Sequence, residues 1–343
     1  MRPASRGASA FVDYGGDMRT HHISRLNRDV SVIGLGCWQL GADWGDVTDD
    51  TATAILDAAY DAGVTFFDTA DVYGDGRSER AIGEFRARHP EVFVATKIGR
   101  RADPHVADAY TLDAFRAWTD RSRANLGVDT LDLVQLHCPP SAVFANPATY
   151  DALSTLVDEG RIANWGVSVE RCDEALEALR HPGLASIQIV VNLFRRKPFE
   201  VVTKAAADAG VGIIARVPLA SGLLSGKYNA TTQFAANDHR NYNRDGSAFD
   251  VGETFAGVPF DVGVAAARDV AALTPEGWTT AQFALGWLAQ QPGISTVIPG
   301  ARTPDQARAN AAAAGVPAIA SGTQEALQEI YDREIRPHVH DRW

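Results

Sequence analysis

The sequence predicts an α/β protein built as a (β/α)8 barrel, the TIM-barrel class, on three observations. Short apolar runs alternate with longer amphipathic stretches from about residue 50 onward, a pattern that implies parallel strands joined by right-handed helical crossovers. About eight such units fit a closed barrel of roughly 250 residues better than an open sheet, and leave room for insertions. An open doubly wound sheet, the rival architecture, would announce a dinucleotide by G-x-G-x-x-G after its first strand, and Gly34-Leu35-Gly36 lacks the third glycine.

The elements follow in order. Thr51–Ala62 reads as a helix with Ile55, Leu56 and Ala59 on one face, stopped by Gly63. Val64–Asp68 is then a short buried strand. The helix Glu79–Arg88 leads to the strand Val92–Lys97, Leu112–Leu126 to Leu131–His137, and Ala148–Glu159 to Ala163–Ser168. Asp173–Leu179 leads to Ile187–Val191, and Phe199–Ala209 to Gly212–Ala215. Thr280–Gln290 is a strong helix before the strand Thr296–Ile298. Pro304–Ala313 and Gln324–Arg333 are the closing helices. Segment 226–262, rich in Asn, Asp, Gly and Arg, breaks the alternation. It reads as a long loop inserted after the sixth strand, either a functional lid or a plain surface insertion. Residues 1–17 carry Gly, Ala and Ser without periodicity and read as a flexible extension, with Met18 as an alternative start. Residues 18–343 then form one barrel domain.

Bulk composition narrows the function. Of 343 residues, 45% are hydrophobic and 22% charged, an ordinary globular balance. A net charge of -11, with no basic stripe beyond Arg195-Arg196-Lys197, argues against nucleic acid. No apolar run reaches the ~20 residues a membrane span needs. Three cysteines, Cys37, Cys138 and Cys172, without a CxxC pair, suit a reducing cytoplasm rather than a disulfide framework or a metal site.

Barrels of this class carry chemistry at the C-terminal ends of their strands. Four polar residues fall there: Asp68 closing one strand, Tyr73 in the loop beyond it, Lys97 closing the next, and His137 the third. Singly, each has a plainer role as a helix cap, a packed ring, a solvated strand end or a turn. Together they make a carbonyl-reducing set. A tyrosine with a pKa near ~10 supplies a proton more readily if an ammonium favours its phenolate. A carboxylate keeps that ammonium charged, and a histidine orients the carbonyl oxygen.

Phe67-Asp68-Thr69-Ala70-Asp71-Val72-Tyr73-Gly74 resembles the first signature of the aldo-keto reductase superfamily. Ala95-Thr96-Lys97 and Leu136-His137 resemble its second and third catalytic segments. The likeness continues through Gly166-Val167-Ser168, Gln188 with Asn192, Pro218-Leu219 to Gly226-Lys227, and Ile298-Pro299-Gly300 to Asn310. It covers the chain from about Ile33 to the last helix.

This resemblance implies NAD(P)H bound extended across the barrel mouth. Tyr73 would then be the general acid, Lys97 and Asp68 its tuning pair, and His137 the residue orienting substrate. It implies Ser168 and Gln188 on the nicotinamide carboxamide, Leu219, Gly222 and Lys227 on the pyrophosphate, and Gly300, Arg302, Gln306 and Asn310 toward the adenosine end. Arg302 beside the ribose favours a 2′-phosphate, hence NADPH over NADH. Two positions depart from the family pattern. Arg216 stands where many relatives stack an aromatic ring on nicotinamide, a task a planar guanidinium also performs. Val169 replaces the asparagine common after the Gly-Val-Ser serine.

The expected activity is reduction of a small aldehyde or ketone, or the reverse oxidation of an alcohol or sugar. The alternative is a cofactor-binding regulatory subunit similar to the potassium-channel β subunits of the same superfamily. Trp38, Trp44 and Phe144 lie in stretches that read either as walls of the substrate pocket, favouring apolar or ring-shaped substrates, or, for Trp38 and Trp44, as packing of the barrel rim. The C-terminal tail from His338 to Trp343 is a further segment expected to reach the mouth.

Overall fold

The computed structural model describes residues 18–41 and 47–343; residues 1–17 and Trp44, both singled out above, lie outside these. The chain opens with an antiparallel hairpin, β1 (Thr20–Ile23) and β2 (Arg28–Ser31). Eight parallel strands follow, paired in sequence order: β3 (Leu35–Gly36), β4 (Phe66–Asp68), β5 (Phe93–Ile98), β6 (Leu133–His137), β7 (Trp165–Val169), β8 (Leu184–Val190), β9 (Gly212–Arg216) and β10 (Thr296–Val297). The first and last strands meet through Gly34 N–H to Val297 O at 2.8 Å, Val297 N–H to Val32 O at 3.0 Å and Gly36 N–H to Pro299 O at 3.0 Å. The sheet therefore curls into a barrel.

The seam explains Gly34-Leu35-Gly36. A Cβ at Gly34 would sit 2.8 Å from Phe66 O, and one at Gly36 2.9 Å from Ile298 O. These glycines allow close strand approach at closure; they are not a phosphate turn. Counting β3 as the first barrel strand places the 226–262 segment after the seventh.

Apolar residues divide into two layers. Ile23, Leu26 and Val30 of the hairpin pack with Phe66, Phe93, Ala95, Leu133, Ile214 and Ile298, which plugs the N-terminal end of the barrel. The larger cluster fills the space between strands and surrounding helices, with Ile55, Phe85, Phe115, Leu153 and Trp287 among its members. The helices carry the caps their sequences encode. Thr48 caps Asp49–Asp61, Gly127 ends Leu112–Leu126 with a left-handed φ of 66°, and Thr279 with Gln282 forms a capping box on Thr280–Ala289. A helix at Phe260–Ala272, unread in the sequence, begins within the last residues of the expected loop and shortens it.

The insertion folds back over the barrel. It holds one short helix, His239–Tyr242, and single turns at Val251–Glu253 and Phe255–Gly257. Buried Asn243 organises it, donating to Thr254 Oγ1 at 3.0 Å and accepting from the backbone N–H groups of Ala248 and Phe249 at 2.9 and 3.0 Å.

Candidate active site

The C-terminal ends of β4, β5 and β6 bring Asp68, Lys97 and His137 to one mouth, and the turn after β4 adds Tyr73. Lys97 and Asp68 are almost completely buried, at 1% and 3% exposure. Lys97 Nζ donates to Asp68 Oδ1 at 2.5 Å, to Thr69 O at 2.8 Å and to Tyr73 Oη at 3.4 Å. The other carboxylate oxygen of Asp68 accepts from Gln188 Nε2 at 2.7 Å and Gln135 Nε2 at 3.2 Å. The buried ion pair is thus satisfied on both sides, the condition under which burial of charge is tolerated. The His137 ring stands edge-on to that of Tyr73, 5.8 Å between centroids.

Electrostatics assigns each group a protonation state. Burial alone would lower the Lys97 ammonium, but Asp68 and Tyr73 outweigh it and raise its pKa above the ordinary value. Burial pushes the Tyr73 phenol up, and Lys97 offsets only part of this. The sequence argument expected a lowered phenol; desolvation reverses the sign. The phenol therefore keeps its proton at neutral pH. Burial, with Arg100, Lys97 and Arg216 nearby, holds His137 far below its usual pKa, so its imidazole is neutral.

Beyond β9 the backbone takes left-handed φ at Val217, Ala220, Ser221, Gly222 and Gly226. Gly222, at φ 95°, turns where a Cβ would meet Tyr228 Oη at 2.4 Å. Such a run of turning peptides suits an anion-binding concavity. Leu219 is half-buried within it and Lys227 exposed at its edge. Across the seam, Gln306 Oε1 accepts from Arg302 N–H at 2.8 Å, and Asn310 Nδ2 donates to Gly300 O at 3.1 Å. These residues fit a phosphate-bearing cofactor extended from the mouth toward Arg302.

Ser168 lies buried beside Cys138, 3.5 Å from Oγ to Sγ. The two protons of the Gln188 amide go to Asp68 Oδ2 at 2.7 Å and Gln135 Oε1 at 3.4 Å, which leaves its oxygen for a carboxamide. Trp38 stacks against Tyr73 at 6.2 Å and faces His239 at 5.1 Å and Phe249 at 6.1 Å. Phe144 does not line the mouth. It is 2% exposed in the core, and its carbonyl accepts from Tyr150 Oη at 2.9 Å. Its short helix, Ser141–Phe144, turns the ring inward.

Sequence reasoning missed a charged quartet at the same mouth. Arg100 Nη2 lies 2.7 Å from Glu253 Oε1 and 3.5 Å from Glu170 Oε1. Arg216 Nη2 lies 2.8 Å from Glu170 Oε2, and its Nη1 is 3.6 Å from Glu253 Oε2. Arg100 and Glu170 sit just past the ends of β5 and β7, where the strand-end rule could have found them. Glu253 comes from the insertion and has no local signal.

A model of the Aldo/keto reductase family matches residues 32–332. The chain belongs to that family. A probable voltage-gated potassium channel subunit beta of Arabidopsis thaliana is 28% identical over 319 residues, covering 87% of this chain and 92% of that one. The solved glycerol dehydrogenase of Gluconobacter oxydans is 27% identical with a TM-score of 0.74, covering 95% of this aldo-keto reductase and 97% of that chain. An aldo-keto reductase from Klebsiella pneumoniae solved with NADPH shares the fold at 23% identity and a TM-score of 0.68, covering 92% and 95%. Among the described residues, no helix is long and apolar enough to cross a membrane.

Proposed function

We propose that this aldo-keto reductase reduces a small aldehyde or ketone to the alcohol with NADPH, and that Tyr73 donates the proton. The observation that carries the reading is the buried Lys97–Asp68 pair in contact with Tyr73, whose ring stands edge-on to that of His137. NADPH bound across the mouth supplies the hydride. The carbonyl oxygen sits between Tyr73 and His137, where two neutral donors stabilise negative charge as it grows. Lys97 beside Tyr73 stabilises the phenolate left after proton transfer, and Asp68 holds Lys97 in place.

Arg216, at the end of β9, would meet the nicotinamide, and Ser168 and the Gln188 oxygen would hold its carboxamide. Leu219, Gly222 and Lys227 would hold the pyrophosphate, and Gly300, Arg302, Gln306 and Asn310 the adenosine end, with Arg302 selecting the 2′-phosphate. The NADPH found in the Klebsiella relative supports this cofactor, and the glycerol dehydrogenase relative supports a CH–OH/C=O couple. Residues 18–343 act as one domain, and three free thiols suit a reducing cytoplasm.

A second reading, a cofactor-binding subunit with little turnover, is favoured by the Arabidopsis relative. One experiment separates the two. Oxidation of NADPH is followed with simple aldehydes for the wild type and Tyr73→Phe, alongside NADPH binding by fluorescence. Turnover by the wild type, lost in Tyr73→Phe with NADPH affinity retained, supports the reductase. Tight binding with no turnover of any aldehyde supports the subunit, and equal activity in Tyr73→Phe removes Tyr73 as donor. Comparable efficiency with NADH overturns the role of Arg302.

A further inference from the structure

We propose that Gln135 is a positioning residue of the reduction site: from inside the barrel it holds the Asp68 carboxylate, so that the Lys97 ammonium stays available to Tyr73. The inference rests on the reductase reading and adds to it a residue two positions before His137.

Strand alternation puts Gln135 in the barrel. Leu133, Gln135 and His137 of β6 share the inward face, while Val134 and Leu136 pack toward the helices. Asp68 of β4 and Gln188 of β8 meet Gln135 at one level, so alternate strands contribute one interior layer. Such layers are filled mostly by branched apolar side chains. Here Asp68, Gln135 and Gln188 are 3%, 0% and 2% exposed. A buried polar layer costs stability unless its groups pair with one another, and these do.

The pairing has a direction. A carboxylate only accepts, so both amides turn N–H groups toward Asp68. Gln135 Nε2 donates to Asp68 Oδ2 at 3.2 Å, and Gln188 Nε2 donates to the same oxygen at 2.7 Å. Gln188 Nε2 also donates to Gln135 Oε1 at 3.4 Å. On the other side of the carboxylate, Oδ1 accepts from Lys97 Nζ at 2.5 Å, and Nζ reaches Tyr73 Oη at 3.4 Å. One buried chain of hydrogen bonds thus runs from the two amides through Asp68 and Lys97 to the proton donor.

The chain sets how much charge Lys97 presents to Tyr73. Burial disfavours the phenolate; Lys97 favours it, and Asp68 works against Lys97. Each amide N–H on Oδ2 draws carboxylate charge away from Oδ1, which leaves Lys97 less neutralised. Without the Gln135 N–H, Asp68 engages Lys97 more strongly and the phenolate is disfavoured further. The other groups facing Tyr73 are Glu253 from the insertion, Arg100 beyond β5 and the His137 ring of β6. Cys37, beyond β3, lies near Asp68 and Lys97; burial and Asp68 push its thiol up, so it stays neutral.

The test uses the full chain with NADPH, and benzaldehyde and butanal as probes. Gln135→Met keeps the length of the side chain and removes its amide. Its kcat should fall about tenfold, the worth of a charge-assisted hydrogen bond, while KM for aldehyde and NADPH stays within about threefold. Tyrosine ring-carbon NMR with NADP+ bound gives a second reading. The Tyr73 signal, identified by its loss in Tyr73→Phe, should titrate about one pH unit higher in Gln135→Met than in the wild type. Gln135→Glu keeps a donor only while its carboxyl is protonated, and contact with Asp68 holds that proton toward high pH. Its kcat should be close to wild type at about pH 6 and about tenfold or more below it by about pH 9. A folded Gln135→Met with wild-type kcat and wild-type Tyr73 titration overturns the proposal, since Gln135 then only fills the barrel. So does a Gln135→Glu whose kcat keeps one ratio to wild type at both pH values. Should Gln135→Met not fold, the pH dependence of Gln135→Glu decides. Failure of the wild type to reduce either probe strikes the reductase reading instead, and the Tyr73 titration then decides the role of Gln135.

Discussion

The ion pair beneath Tyr73 makes a sharp prediction. Asp68 accepts one charged and two amide donors in a site closed to water. Removing the ammonium by Lys97→Met leaves a buried carboxylate without a counter-charge, a loss of about 3–5 kcal/mol in comparable cases. Denaturant unfolding should show that loss. Turnover should fall by at least about a hundredfold, the weight of a group assisting proton transfer. A second buried carboxyl, Asp71, behaves differently. It is fully buried, and neither of its oxygens has a hydrogen-bond partner among the described residues. Burial and the neighbouring Glu79 raise it from 3.8 to about 7, against Arg101 and Arg121. The folded protein thus keeps a proton that the unfolded chain releases near 3.8. The resulting stability is complete below that pH and declines by about 1.4 kcal/mol per unit until pH reaches about 7. Asp71→Asn cannot ionise, so it should raise Tm over wild type near pH 8 and much less near pH 4.5. An equal gain at both values would show that Asp71 acts through packing instead.

Among the elements, those with strong period or clear stops were legible in sequence. Leu112–Leu126 coincides with the structure, where helix formers agree with a Thr111 cap and a left-handed Gly127 that bound the same residues. The strand ends carrying Asp68, Lys97 and His137 were legible for the same reason: each polar residue closes an apolar run. β3 was not, since two residues have no period and their glycines serve the seam. Phe144 was misplaced because four helical residues turn it inward, and Glu253 was invisible because its neighbours are set by a fold made across the insertion. That insertion depends on the C-terminus. The Trp343 indole donates to Asp250 Oδ1 at 3.0 Å, lies 3.5 Å beneath the Arg195 guanidinium, and fills space where a Cβ at Gly257 would come within 2.4 Å. Trp343→Ala should loosen residues 243–257 and with them Glu253. Limited proteolysis should cut there sooner, and KM for the aldehyde should rise more than kcat falls. An unchanged cleavage pattern would show that Asn243 alone holds the segment.

At the scale of the molecule, stability and chemistry occupy opposite ends of one barrel. The mouth gathers buried charge: Lys97 with Asp68, and the Arg100–Glu170–Arg216–Glu253 quartet. The far end is closed by the hairpin, whose Ile23, Leu26 and Val30 sit on Phe66, Phe93 and Ile298. Arg28 covers the plug from outside, its guanidinium 5.3 Å from the Phe93 ring centre. Such a division predicts that the two ends can be perturbed separately. Ile23 is 2% exposed and touches the space where a Cβ at Gly212 would stand. Truncating it opens a cavity among residues that have little room to collapse, so Ile23→Ala should cost about 2–5 kcal/mol. The catalytic strand ends lie a barrel's length away, and additivity holds for sites that share no partners. Below its lowered unfolding temperature, Ile23→Ala should therefore keep the wild-type kcat and KM, while the denaturation midpoint drops. A change in kcat matching the loss of stability would show instead that the plug and the mouth move as one unit, and that the barrel transmits strain along its strands.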